Sequence, residues 1–142
     1  MSDFTKPLKC VIISPAGKLL DCSAVGVTFI AHDGSVGVLS NHMPMLCELG
    51  LGIMEVELVS TAPKTTPKKF ALIDGGFALI HSNMINIIAN DAVPGWDLKK
   101  EKIDILIESG KKKIKGVPET SEIYTHQTKK NALLEKLVAI AG

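Results

Sequence analysis

Four histidines, three cysteines and a few aspartates at turns are the side chains of this 142-residue chain that could make or break bonds. His32, His42, His81 and His126 have neither the H-x-x-x-H nor the H-E-x-x-H spacing that sets two imidazoles on one helix face around zinc. They fall mostly at expected turns, where a general base finds no convergent partner. Cys10, Cys22 and Cys47 are odd in number and widely separated, with no C-x-x-C pair. They read as buried reduced thiols rather than a disulfide framework or zinc site. No G-x-S-x-G elbow offers a serine nucleophile. Gly75-Gly76 opens no phosphate-binding fingerprint and no helix starts there, so the pair reads as a β-bulge or a close backbone contact. Asp33 and Asp91 read as turn residues. One alternative stays open, in which Asp74, His81 and the glycine turn line a pocket. The chain would then be a stand-alone β-barrel ligand-binding domain or small enzyme.

Residues suited to recognition rather than reaction are concentrated in AHDGSVGVLSNHMPML, Ala31 to Leu46. Asp33-Gly34 is a turn signal, because glycine accepts a positive φ without steric cost, and Val36, Val38 and Leu39 make a brief β-prone run. Ser40 to Pro44 breaks that run. Asn41 tolerates the left-handed region, while Pro44 fixes its own φ and restricts Met43. The polar tip is thereby held between two anchored ends, as a docking edge requires.

The elements that must carry this edge are read from periodicity. Leu8 to Ile13, Lys18 to Cys22, Ala24 to Ala31 and Leu51 to Val59 are expected strands, the last with a bulge near Met54 where its alternation changes phase. Thr61 to Lys69, with two prolines and three threonines, is expected as an exposed hairpin loop. Phe70 to Ile73, Phe77 to Ile80 and Met84 to Ala89 follow, divided by turns at Asp74-Gly75-Gly76 and His81-Ser82-Asn83. So many short strands imply an all-β sandwich or flattened barrel over residues 1–93.

The period changes at Val93-Pro94-Gly95-Trp96-Asp97, and residues 94–142 are expected to form an antiparallel two-helix hairpin. Asp97 is the expected N-cap of its first helix. Ile103, Leu106, Ile107 and Ile114 share a face with Gly110, and Lys111 to Lys113 sit where the helix dipole favours cations. Glu119 or Thr120 is expected to open the second helix, with Ile123, Leu133, Leu134, Leu137, Val138 and Ala141 as its apolar stripe. Lys129, Lys130 and Lys136 give that helix a basic face suited to an acidic partner. A two-helix appendage cannot bury much area alone, so it must dock on the β domain or engage something else.

With 46% apolar and 22% charged residues, the composition is that of a globular body. Six aromatic residues and a formal charge of +1 supply neither stacking platforms nor a general field for nucleic acid. No apolar run approaches the roughly 20 residues needed to span a bilayer, and MSDFTKPLK has no apolar run behind its lysines. The chain is therefore expected in the cytoplasm, reaching a membrane only through a partner.

Three blocks carry a family likeness: DGSVGVLSNHMPML (Asp33 to Leu46, through Gly34, Gly37, His42, Pro44 and Leu46), ALIDGGFALI (Ala71 to Ile80, through Gly75 and Gly76) and INIIANDAVPGWDL (Ile85 to Leu98). In order and spacing they resemble the epsilon subunit of F-type ATP synthases, called delta in mitochondria. Asp74 stands where serine is common in the family, and Ser35 replaces an acid found in some members.

The resemblance implies a non-catalytic rotor-stalk protein without cofactor or metal, coupling proton transport to ATP synthesis. It would be peripheral to the cytoplasmic face of a bacterial membrane. It implies that Asp33, Ser35, Asn41, His42 and Met43 face the gamma subunit and the c-ring. It also implies that the hairpin can reach the alpha/beta catalytic head and block hydrolysis, with Lys129, Lys130 and Lys136 as the contacts there. Some members bind ATP at the first helix. In this sequence the corresponding Leu98 to Ile103 keeps only Leu98, with lysines in place of the Asp and Arg, so ATP binding is not expected.

Overall fold

Apolar and polar side chains alternate from Leu8 onward, and the computed structural model describes residues 7–31, 34–39, 44–59, 67–96 and 100–141. Seven strands precede two helices among these residues: β1 (Leu8–Ser14), β2 (Gly17–Ala31), β3 (Gly34–Leu39), β4 (Met45–Leu58), β5 (Lys68–His81), β6 (Met84–Ala89), β7 (Ala92–Pro94), α1 (Lys100–Lys113) and α2 (Glu122–Ala141). The strands run in the order β1-β6-β5-β4-β2-β3, with β7 beside β5. β1 pairs with β2 as well as β6, which closes the sheet into the flattened barrel expected from the sequence. Phe29, Ile12, Met54, Ile80, Ile85 and Ile87 fill its interior, each almost fully buried.

Several sequence expectations need correction. β2 is one strand where two were expected, because its first half pairs with β1 and its second with β3 and β4. Residues near Ala24 change partner without breaking the strand. β5 is also one strand, so Asp74-Gly75-Gly76 does not turn the chain. Lys68 and Lys69, assigned above to the preceding loop, already pair with Glu57 and Val56.

β4 starts at Met45 rather than Leu51, and its phase changes earlier than Met54. Leu49 still packs into the core, whereas Leu51 and Ile53 join the cluster under the helices. Gly52 is required in this stretch because the Ile30 side chain occupies the space a Cβ would take. Residues 60–66 and Asp97, the expected loop and N-cap, lie outside the described residues.

Ile103 and Ile107 of α1 and Leu134 and Leu137 of α2 form a second apolar cluster with Leu51 and Leu72, so the helices lie docked on the outside of the sandwich. Full burial of a leucine is worth about 1.5–3 kcal/mol, which makes Leu134 and Leu137 the principal apolar anchors. The helices approach each other at Gly110, where a Cβ would collide with the Gln127 and Asn131 side chains. α2 is capped by Ser121 rather than opened by Glu119 or Thr120. The Ser121 hydroxyl accepts from Ile123 N at 3.2 Å and its carbonyl from Thr125 N at 3.1 Å. Ile123, placed in the apolar stripe above, is 65% exposed and takes no part in it.

Gly76 has φ +127°, and the Ile88 carbonyl stands where its Cβ would be, whereas Gly17, at φ +121°, has open space on that side. Gly76→Ala is expected to lower stability in urea unfolding by roughly 2–4 kcal/mol, and Gly17→Ala by only about 1–2 kcal/mol. Equal losses would show that the close approach of β5 to β6 contributes nothing.

Candidate functional site

β4 and β5 both change, at the same level, which side chains they send outward. On β5, Ala71 and Ile73 enter the core while Phe70 and Leu72 face the helices, and beyond Gly75-Gly76 it is Ala78 and Ile80 that enter while Phe77 and Leu79 are exposed. The change of facing falls at the two glycines, with φ of 75° and 127°, while the pairing with β4, β6 and β7 keeps one register through them. There Asp74 N donates to Asp91 O at 2.9 Å and Asn90 N donates to Gly75 O at 3.0 Å. On β4, Leu46 is exposed and Leu51 is covered. The outcome is two outward faces, one under the hairpin and one bare.

The covered face joins two matching stripes. His126, Lys130, Leu134 and Leu137 recur at helical spacing along α2, and they meet Asp74 and Leu72 of β5 and Leu51 of β4. The Lys130 ammonium lies 3.0 Å from Asp74 Oδ2 and 2.8 Å from Asp91 Oδ2, and His126 Nε2 lies 2.9 Å from Asp74 Oδ1. Burial on its own would raise the Asp74 carboxyl, but hydrogen bonds and charge from Lys130 and His126 outweigh it and hold the pKa below the ordinary value. Burial would likewise lower the Lys130 ammonium, and its bonds to Asp91 and Asp74 raise it instead. A hollow of about 250 Å³ beside this cluster is lined by Lys102, Ser109, Lys113, Gln127 and Lys130 among others.

The bare face is apolar. Leu46 pairs with Leu79 across β4 and β5, Phe77 with Ile88 across β5 and β6, and Ile88 with Ile13 across β6 and β1. Direct partners share a sheet face, so these five residues form one patch across four strands. Leu46 is 66% exposed, Phe77 52% and Ile88 51%. A contiguous exposed apolar patch of this kind marks an interaction surface.

Residues 7–95 match the ATP synthase Delta/Epsilon chain beta-sandwich domain, a match that spans β1 to β7. The chain belongs to this ATP synthase family. An epsilon chain from Rhodopirellula baltica is 31% identical over 87 residues, 61% of this chain and 63% of the relative, so the alignment spans less than two thirds of that relative's length. The plastid epsilon chain of Prototheca wickerhamii is 31% identical over 109 residues, 77% of each chain. Among solved structures, a chain of the Euglena gracilis mitochondrial ATP synthase shares the fold with a TM-score of 0.64 at 22% identity, covering 96% of this chain and 82% of that one. A chain from the Tetrahymena thermophila mitochondrial ATP synthase central stalk and c-ring gives 0.58 at 12% identity, covering 94% and 97%.

Of the residues singled out by the resemblance to this ATP synthase family, Asp33, Asn41, His42, Met43 and Leu98 lie outside the described residues. Ser35 is exposed on β3, paired with Ile30. Lys129 and Lys136 are exposed on α2, but Lys130 turns to the sandwich, so the three do not form the single basic face expected from sequence. Asp74 and His81 are not brought together. Asp74 is engaged by α2, and His81 is exposed at the far end of β5, so the alternative pocket does not form. Sequence reasoning missed the cluster of Asp74, Asp91, His126 and Lys130. Its one available signal was an aspartate where the family commonly has serine.

Lys130→Met leaves Asp74 partly buried with a single partner and is expected to weaken docking of α2 by roughly 1–3 kcal/mol. The sole tryptophan, Trp96, shares a surface hollow with Ile140 of α2, so its fluorescence reports the docked state. In wild type, the contribution of Asp74, whose pKa is lowered, is present above the ordinary carboxylate range and lost as pH falls through its folded value. The contribution of Lys130, whose pKa is raised, is present below the ordinary lysine value and lost as pH rises through its folded one. Docking should therefore weaken as pH falls below roughly 5 and as it rises above roughly 10. A Lys130→Met protein with the same two flanks would show that other groups set them.

Proposed function

We propose that this protein is the epsilon-type rotor subunit of an F-type ATP synthase, coupling proton transport to ATP synthesis by holding the central stalk together, with no reaction centre of its own. The observation that carries this is the bare apolar patch of Ile13, Leu46, Phe77, Leu79 and Ile88, which a lone protein leaves in water and a stalk partner covers. Leu39 and Leu46, 64% and 66% exposed, precede and follow Asn41, His42 and Met43 in the chain. In this reading the gamma subunit covers the patch. Asp33, Ser35, Asn41, His42 and Met43 form the neighbouring polar contact with gamma and the c-ring.

Residues 1–93 then act as the fixed rotor-binding domain and residues 94–142 as the movable one. Docked, α2 keeps Lys130 occupied by Asp74 and Asp91. Released, it would present Lys130 together with Lys129 and Lys136 to the alpha/beta catalytic head and oppose ATP hydrolysis. The lysines in Leu98 to Ile103 that replace the family's Asp and Arg fit a hairpin that moves without sensing ATP. The protein would sit peripherally at the cytoplasmic face of a bacterial membrane, held only through the complex. No helix among the described residues is long and apolar enough to cross it.

Phe77→Glu and Leu79→Glu place a charge on exposed positions and should leave the isolated fold intact while weakening binding to gamma roughly tenfold or more, measured by titration with purified gamma. His42→Glu should weaken the same binding. Unchanged affinity in the Phe77 and Leu79 variants would remove the patch from the interface.

A further inference from the structure

The spacing of the cysteines conceals a pairing that the sheet register reveals: Cys10 of β1 and Cys22 of β2 are direct antiparallel partners. Both pack against the barrel core, so the thiols share one face of the sheet, and both are reduced. Lys9 N donates to Asn83 O on the β6 side at 2.9 Å. Successive backbone groups alternate, so those of Cys10 point towards β2 and the two cysteines form a hydrogen-bonded pair. Such pairs have Cα atoms about 5.5 Å apart, within the range of disulfides.

We propose that Cys10 and Cys22 are an oxidation site, a cross-strand thiol pair that peroxide closes to a disulfide between β1 and β2 and that thiols reopen. Cys22 is half-buried and reacts first, whereas Cys10 is sealed in the core. The Cys22 thiolate attacks one oxygen of hydrogen peroxide, the O–O bond breaks, and hydroxide leaves to take up a proton, giving a sulfenic acid. The Cys10 sulfur then attacks the Cys22 sulfur. The S–O bond breaks, and the departing hydroxide takes the Cys10 proton as water. Two thiols and one peroxide thus yield one disulfide and two waters.

Burial pushes the Cys10 thiol up to about 12, with Cys22 and Asp21 adding to it. Burial also raises Cys22, opposed by Lys69 and assisted by Asp21. Both groups are therefore mostly thiol at neutral pH, and closure accelerates as pH rises. β1 is the strand that joins both β6 and β2, so the bond fastens the closure of the barrel itself. Side chains of a hydrogen-bonded pair stand further apart than those of the alternate kind, so the bond forms under tension and is readily reduced.

The test treats the full native chain with hydrogen peroxide, alkylates remaining thiols after denaturation and measures mass. Cleavage after Lys9 and Lys18 separates the two cysteines, and in Cys47→Ala, where the second peptide holds Cys22 as its sole cysteine, a linked peptide reports the bond directly. Wild type and Cys47→Ala should lose two hydrogens, yield that linked peptide, and revert with reduced glutathione. Cys22→Ala should form no intramolecular bond. Cys10→Ala should stop at a sulfenic acid on Cys22 that dimedone traps. Because Cys10 lies in the core, the partly buried Cys22→Ala carries the decisive comparison. Three alkylated thiols in treated wild type, a sulfenic acid without the linked peptide, or an intramolecular bond that persists in Cys22→Ala would each overturn the proposal.

Discussion

The close approach of β5 to β6 at Gly76 is the constraint on which the rest of this molecule turns. The Ile88 carbonyl occupies the place of a Cβ, and the adjoining Gly75 also has a positive φ, so only glycine fits without moving the neighbouring strand. The change of facing made at these two glycines reverses the side to which everything downstream points. Without it, Phe77 and Leu79 would enter the core and Ala78 and Ile80 would meet solvent. β4 makes its own change of phase at the same level. A single pair of strands thereby supports a permanent intramolecular contact at one end and an uncovered surface at the other.

Docking of the hairpin combines two kinds of force with different ranges and sensitivities. Leu134 and Leu137 are held by burial, which is non-directional and insensitive to ionic strength. Lys130 and His126 are held by charge and hydrogen bonding to Asp74, with Asp91 closing the far side of the ammonium. Asp91 is mostly exposed, so its share is weakened by solvent, whereas Asp74 is shielded and supplies the stronger hold. The same aspartate is positioned by the backbone bond from its own N–H to the Asp91 carbonyl, so the glycine pair and the docking contact are parts of one local structure.

Much of this architecture was legible in the sequence. Alternation from Leu8 to Ala89 gave the β domain, and the change of period beyond Val93 gave the helices. What failed was the reading of glycine, because a turn and a change of facing within one continuous strand have the same one-dimensional signature and only the neighbouring strands distinguish them. β5 was split at Gly75-Gly76 for that reason. The bare patch was hidden in a different way. Phe77, Leu79 and Ile88 sit in apolar runs, and such runs do not declare which side is covered. Lys130 was grouped with Lys129 and Lys136 because its true partners lie 56 and 39 residues away, beyond the reach of local pattern. The positions carrying the family resemblance between Asp33 and Met43 came from likeness rather than from physics, apart from the turn chemistry read for Asp33-Gly34, Asn41 and Pro44.

The arrangement of α2, charged near its beginning and greasy towards its end, has a mechanical consequence. Dissolved ions screen attraction over about 10 Å at 0.1 M but leave oily contacts untouched, so a rise in ionic strength loosens one end of the helix alone. The tip of the hairpin would lift first while the last turns stay seated as a hinge line. Detachment is then a peeling motion with a built-in direction, and its effort is spread along the helix instead of being met all at once.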